Sequence, residues 1–176
     1  MGAPLAVLIG APGAGKSSVG SLLAERLGVR FVDTDAVIED RAGKAIGDIF
    51  VEDGENTFRE LERVVVAETL HTATGVVALG GGAALREETQ QELAGHHVVY
   101  LEVPFEEAVK RVGLAKARPL LAGNPRAQLK KLLQERTPVY ERLASTTVST
   151  ADQHPEEIVD TIVLGLAQSG VGEAEE

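Results

Sequence analysis

The chain has no cysteine among its 176 residues. That excludes disulfides, thiolate metal sites and cysteine nucleophiles, and it fits the cytoplasm in which the chain is expected to work. Aromatic residues make up only 3%, with no tryptophan, so platforms for stacking nucleic-acid bases are not expected. Positive charge is in deficit: 17 Lys and Arg against 27 Asp and Glu give a net charge of −10. Non-specific binding to nucleic acid or anionic membrane is therefore not expected, and an anionic ligand must be met by Lys and Arg gathered locally. Long apolar runs are missing too. None approaches the ~20 residues that cross a bilayer. The opening MGAPLAVLIGAPG lacks the basic flank and small-residue cleavage site of a secretion signal. Its short apolar stretch reads as a buried strand that runs into a glycine-rich loop. The four histidines, His71, His96, His97 and His154, have no metal-ligand spacing and read as structural or exposed.

What is present is an ordinary soluble composition, 44% hydrophobic and 25% charged, on a length suited to one domain with a substantial core. No linker or internal repeat divides residues 1–176, and the small, acidic residues 169–176 read as a frayed tail. Short apolar runs alternate with amphipathic stretches. Strands are expected at 5–10, 29–35, 75–82, 96–103 and 145–150. Helices are expected from the Gly15–Gly28 stretch, at 36–42, in the stretch 45–53, and at 55–70, 104–112, 127–144 and 154–168. In the first helix Val19, Leu22, Leu23 and Leu27 share a face, and Gly28 stops it. Pro155 suits the first turn of the last helix. This alternation predicts an α/β fold with a mostly parallel sheet covered on both faces. In such a sheet ligands bind beyond the carboxyl ends of the strands, which puts the phosphate loop, Asp33-Thr34-Asp35, Gly80-Gly81-Gly82 and the residues after Val148 on one rim.

The first motif is GAPGAGKS, residues 10–17, a G-x-x-x-x-G-K-[ST] phosphate loop in the strand–loop–helix context it requires. Its backbone amides and the helix start hold phosphate. Lys16 would reach the β- and γ-phosphates, and Ser17 would ligate Mg2+. The second is Asp33-Thr34-Asp35. If the segment is extended, the two acids point to opposite sides, one toward the metal and one toward an acceptor hydroxyl. Alternatively Thr34 or Asp35 merely caps the following helix. The third is GENTFRELE, residues 54–62. Arg59 there either joins Glu55 and Glu62 in an exposed salt-bridged helix or clamps a carboxylate with its planar fork. The fourth is Gly80-Gly81-Gly82, which either places a ligand on bare backbone or is a flexible turn. In LAKARPLLAG, residues 114–123, Lys116 and Arg118 lie in a segment that is either a closing lid or a surface loop. Arg136, in ERTPVY, either answers a helix dipole or is a second anion clamp.

Taken in order, GAPGAGKS, DTD, GENTFRELE, LGGG, ARPLL, ERTPVY and TADQHP resemble the shikimate kinase family over nearly the whole chain, from Leu5 to about Leu166. The resemblance implies a nucleoside-monophosphate-kinase-like P-loop fold with a five-stranded parallel sheet. It implies phosphoryl transfer from MgATP to the 3-hydroxyl of shikimate by a cytoplasmic monomer, with a lid at 113–124 and an acceptor-binding segment at 34–62. Gly13, Ala14, Gly15, Lys16, Ser17 and Ser18 would wrap the phosphates. Ser17 and Asp33 would serve Mg2+. Asp35 would bind the acceptor hydroxyls. Arg59 and Arg136 would pair with the shikimate carboxylate, and Gly80, Gly81 and Gly82 would shape that pocket. Arg118 would close onto the phosphates, while Arg111, Gln153 and Pro155 would flank adenine. Three departures stand out: Ala78 replaces a small hydroxyl residue, Gln153 stands where many relatives carry Arg, and the lid differs in its middle. A gluconate-type kinase of the same fold is the alternative enzyme. A GTP-driven switch is the alternative outside enzymes, against which stands the lack of an N-K-x-D motif.

Overall fold

A computed structural model describes residues 2–112 and 124–170. Five strands form one parallel sheet: β1 (Ala6–Ile9), β2 (Phe31–Asp33), β3 (Val76–Ala78), β4 (Val98–Glu102) and β5 (Thr146–Ser149), in the order β2-β3-β1-β4-β5. β1 lies centrally, with Leu8 paired to Ala78 on one side and Val99 on the other. All four β1 residues and all three β3 residues are buried, as a strand covered on both faces demands. In edge strand β5 only Val148 is buried. The chain reaches one side of β1 through β3 and the other through β4, so the carboxyl end of β1 is a topological switch point where a crevice opens.

Helices flank the sheet. They are α1 (Lys16–Leu27), α2 (Thr34–Ala42), α3 (Ile46–Glu52), α4 (Glu55–Thr72), α5 (Glu87–Leu93), α6 (Phe105–Val112), α7 (Pro125–Leu143) and α8 (Pro155–Gln168). α1 ends as expected, with Gly28 in the left-handed conformation at φ 67°, which a residue with a Cβ adopts poorly. Its Val19 and Leu23 are buried, and Leu22 and Leu27 pack against the same core. Arg26 of α1 bonds Asp160 of α8 at 2.7 Å. Asn124 caps α7 by accepting from the Ala127 N–H. The main core gathers the strands with Leu23, Leu79, Leu129, Tyr140 and Ile162. A smaller core of Ile38, Ile49, Phe58 and Val65 ties α2, α3 and α4 together, with the Phe50 and Phe58 rings 4.7 Å apart. It gives the segment at 34–62 its own packing.

Three local differences from the sequence expectation have physical causes. Only Asp33 of the DTD run is in the strand; Thr34 and Asp35 already belong to the first turn of α2. The cap is neither Thr34 nor Asp35 but Asp33, whose carboxylate accepts from the Asp35 N–H at 3.0 Å. Residues after the glycine turn form a 3-10 turn (Ala83–Leu85) and then α5, a helix too short and polar to announce itself by periodicity. α4 also continues through Thr72. Among the described residues no helix is long and apolar enough to cross a membrane. Of the tail, Ser169 and Gly170 form a turn, and 171–176 lie outside the described residues.

Ile49 is buried in the smaller core, so Ile49→Ala is expected to lower stability by about 2–5 kcal/mol. Urea unfolding monitored by circular dichroism measures this; a change below about 1 kcal/mol would show that the smaller core is loosely packed.

Candidate active site

The phosphate loop leaves β1 and enters α1 through Gly15, which sits at the helix N-cap with φ 91°. Lys16 folds over the loop, its ammonium donating to the carbonyls of Gly10 at 2.6 Å and Ala11 at 3.0 Å. Ser17 donates its hydroxyl to Asp33 Oδ2 at 2.5 Å. Asp33 therefore uses one oxygen on Ser17 and the other on the α2 cap, so capping and a place in the site coexist in one side chain. Gly13, Gly15, Lys16, Ser17, Ser18, Asp33, Asp35 and Gly81 are among the residues around a cleft of about 210 Å3. Ala14 is buried, with its N–H bonded to the Ala11 carbonyl. Among the described residues no group of three or more His, Asp or Glu could hold a metal ion. The oxygen pair of Ser17 and Asp33 nevertheless suits Mg2+, which takes one or two protein oxygens and fills its remaining positions with phosphate and water.

Arg111 lies behind the loop. Its guanidinium donates to the carbonyls of Gly13 (3.3 Å), Ala14 (3.4 Å) and Thr150 (3.2 Å), and to the Thr150 hydroxyl. It thus fastens the phosphate loop to the turn after β5. Gln153 and Pro155 lie exposed in and after that turn, with the Gln153 amide donating to the Ser149 carbonyl. Pro155 opens α8. Arg118 and Lys116 lie outside the described residues, as does the expected lid apart from Asn124.

The second half of the site is built on Gly80-Gly81-Gly82. A methyl carbon on Gly80 would meet Asp35 Oδ1 at 2.5 Å, one on Gly81 would meet Arg136 Nη1 at 3.0 Å, and one on Gly82 would meet Arg59 Nη1 at 2.5 Å. Each glycine is thus covered by a different charged side chain, and the reading of this segment as a merely flexible turn is set aside. Arg59 and Arg136, with Glu62 and Gly82, line a cleft of about 470 Å3. Arg136 sits seven residues before the end of α7 and is 6% exposed. That is too far from the terminus for the helix dipole to hold it, so the dipole alternative is also set aside. Arg59 bonds Glu62 at 2.8 Å and lies 3.7 Å from Glu55, pairs that the sequence spacing anticipated. The exposed-helix reading holds for Glu55 but not for the Glu62 pair, because Glu62 is only 5% exposed.

Three features of the site were not foreseen from the sequence: the burial of Glu62, the bonds of Thr34 and the part of Tyr140. Burial pushes the Glu62 carboxyl above its ordinary range, against the pull of Arg59. Thr34, fully buried, accepts from the Gly80 N–H and donates to the Ala78 carbonyl. Tyr140 donates to the Gly81 carbonyl at 2.5 Å, its own pKa raised to about 12 by burial. Tyr140 stands one helical turn beyond Arg136, the one available sequence signal. His97 is buried against Thr146, a structural placement.

A phosphate loop, a metal-suited oxygen pair and a two-arginine pocket thus share one rim. The family model for shikimate kinase matches residues 12–167. The chain belongs to the shikimate kinase family. A shikimate kinase of Thermobifida fusca is 65% identical over 167 residues, covering 95% of this chain and 97% of that protein. A solved shikimate kinase from Acinetobacter baumannii, in complex with shikimate, matches with a TM-score of 0.88 and 37% identity over 97% of this chain and 95% of that one. A gluconokinase from Sinorhizobium meliloti shares 22% identity over 96% of this chain and 93% of that one, with a TM-score of 0.57; it has the same fold and supports nothing finer. The family's reaction defines the chain as an enzyme, a kinase that phosphorylates shikimate with ATP in the route to chorismate and the aromatic amino acids.

Because the Glu62 carboxyl is raised in the folded chain, the fold binds its proton more tightly than the unfolded chain does. The stability this group contributes is present at acid pH and is lost as pH rises through the raised value. Relative to Glu62→Gln, the wild type should lose stability as pH rises above about 4.5, the ordinary carboxyl value from which burial raises this group. Parallel urea titrations at several pH values read this difference, and a flat difference would contradict the burial effect.

Proposed function

We propose that Asp35 and the phosphate loop face each other across the glycine turn as acceptor and donor halves of one kinase site. The observation that carries this is the covering of Gly80, Gly81 and Gly82 by Asp35, Arg136 and Arg59, with Asp35 and Gly81 bordering the same cleft as Lys16 and Ser17. Gly13 to Ser18 hold the phosphates of ATP through backbone amides and the start of α1. Lys16 moves from its carbonyl partners onto the β- and γ-phosphates. Ser17 and Asp33 hold Mg2+, which when bound neutralises phosphate charge. Arg111, Gln153 and Pro155 border adenine.

At the acceptor end Arg59 and Arg136 take the shikimate carboxylate, and the turn, with Gly81 the principal backbone donor, shapes the pocket. Asp35 orients the 3-hydroxyl and receives its proton as that oxygen attacks the γ-phosphorus. The bond from the γ-phosphorus to the bridging oxygen breaks in line, leaving ADP and shikimate 3-phosphate. Catalysis is mainly positioning and charge stabilisation. Arg118, which lies outside the described residues, would on the family resemblance stabilise charge on the transferring phosphate. The whole chain, 1–176, works as one catalytic domain, a monomer in the cytoplasm whose partners are its two substrates. Two guanidiniums converging on one pocket favour a carboxylate over a neutral acceptor. The family match, rather than the geometry, favours shikimate over gluconate.

Lys16→Ala should lower kcat by at least about 100-fold. Arg59→Ala should chiefly raise the shikimate KM, by about 10- to 100-fold, with the ATP KM little changed. A coupled ADP-release assay varying each substrate separately measures both. An Arg59→Ala enzyme with an unaltered shikimate KM would overturn the acceptor assignment.

A further inference from the structure

Three neighbouring hydrogen bonds hold the glycine turn from outside the charged cluster. The Thr34 hydroxyl acts both ways: it accepts from the Gly80 N–H at 3.3 Å and donates to the Ala78 carbonyl at 3.2 Å. The Tyr140 hydroxyl donates to the Gly81 carbonyl at 2.5 Å. Both side chains are buried, at 0% and 1% exposure, so water does not readily replace these bonds. The Ala83 N–H bonds the Gly80 carbonyl at 3.1 Å, closing the turn on itself.

A peptide group is planar and its C=O and N–H point opposite ways. Holding the Gly81 carbonyl on Tyr140 therefore aims the Gly82 N–H away from Tyr140. Holding the Gly80 carbonyl on the Ala83 N–H aims the Gly81 N–H in the opposite direction. Thr34 fixes the start of the same turn relative to Asp33 and Asp35, since it stands between them in the chain. Tyr140 fixes its middle relative to Arg136, four residues earlier in α7. Glycine offers no side-chain packing to do this, so the two hydroxyls supply the rigidity that three consecutive glycines lack.

We propose that Thr34 and Tyr140 are positioning residues for the acceptor: a two-hydroxyl clamp on Gly80-Gly81-Gly82 that sets the turn's amides and the charged groups resting on it at a fixed distance from the phosphate loop. Neither hydroxyl touches substrate, and neither titrates during turnover. Their effect passes through the turn and, for Tyr140, also through Arg136, whose side chain bonds the Tyr140 hydroxyl. The inference rests on the acceptor reading given above and adds to it the means by which a bare backbone is kept in register.

Thr34→Val and Tyr140→Phe keep shape and remove the hydroxyl. Each should lower kcat/KM for shikimate by about tenfold, with the ATP KM unchanged. Thr34→Ser should restore most of the loss. The double variant should lose less than the product of the two single effects, because both act on one turn. The assay is ADP release with each substrate varied in turn, at a temperature well below each variant's melting point. A role confined to folding would lower Tm and leave kcat and both KM values alone, and that result overturns the clamp. Should Thr34→Val not fold, Tyr140→Phe decides by the same kinetic criterion. Arg59→Ala is the control. If it loses shikimate binding while the hydroxyl variants keep wild-type constants, the clamp fails and the acceptor reading stands. If Arg59→Ala binds shikimate normally, the acceptor reading fails and the clamp's role in acceptor positioning falls with it.

Discussion

Three consecutive residues without side chains carry the charged groups of this site. Asp35, Arg136 and Arg59 each occupy the space that a Cβ on Gly80, Gly81 or Gly82 would fill. The constraint works in both directions. The turn has to be bare for the charges to approach its backbone, and the charges have to be held by other elements because the turn cannot hold them. α2 brings Asp35, α4 brings Arg59 and α7 brings Arg136. Their placement depends on the smaller core of Ile38, Ile49, Phe58 and Val65 for the first two, and on the main core through Leu129 and Tyr140 for the third. Packing far from the cleft is thus converted into distances inside it.

The electrostatics follow the same division. The chain is strongly acidic overall, yet its two substrates are anions. Lys16, Arg59 and Arg136 concentrate positive charge along one rim, and the surplus of carboxylates lies mostly elsewhere. Asp33 and Asp35 also border the site, and Glu62 is an acid buried beside Arg59 with Asp35 and Arg136 also acting on it. Alone, such a carboxylate would be costly to bury. Paired at 2.8 Å, it fixes the Arg59 fork, at the cost of lowering the local positive field. A rigid cation with one fewer net charge can bind an anion better than a mobile one, because less side-chain freedom is lost on binding.

Much of this was legible in the sequence, and the reasons are physical. The phosphate loop, the helix stop at Gly28, the buried strands and the alternation that makes a parallel sheet are local signals, set within a few residues. The two arginines were visible only as candidates, each with an ordinary alternative. The enclosure of Arg136 and of Glu62 beside Arg59 depends on residues distant in sequence. The spacing gave the Arg59–Glu62 pair but not its enclosure. Thr34 and Tyr140 were beyond reach for the same reason: their partners lie 44, 46 and 59 residues away. Helix α5 was missed because EETQQEL buries little and so carries almost no periodic signal.

Positions 78 and 34 differ in how they join the end of β3 to the start of α2. Ala78 carries no hydroxyl and makes no side-chain hydrogen bond. Its backbone carbonyl still accepts from Thr34, and its β-sheet pairing to Leu8 and Asp33 is backbone as well. The link between the end of β3 and the start of α2 therefore runs through atoms that every residue possesses at position 78. Asp33 meanwhile is held from two other directions, by Ser17 and by the Asp35 N–H. The lack of a side-chain bond at position 78 leaves both neighbours anchored. Losing the hydroxyl at position 34 would release the Ala78 carbonyl and the Gly80 amide together, inside a core where neither readily finds water. The asymmetry between these two positions comes from which of them contributes a side chain to the connection.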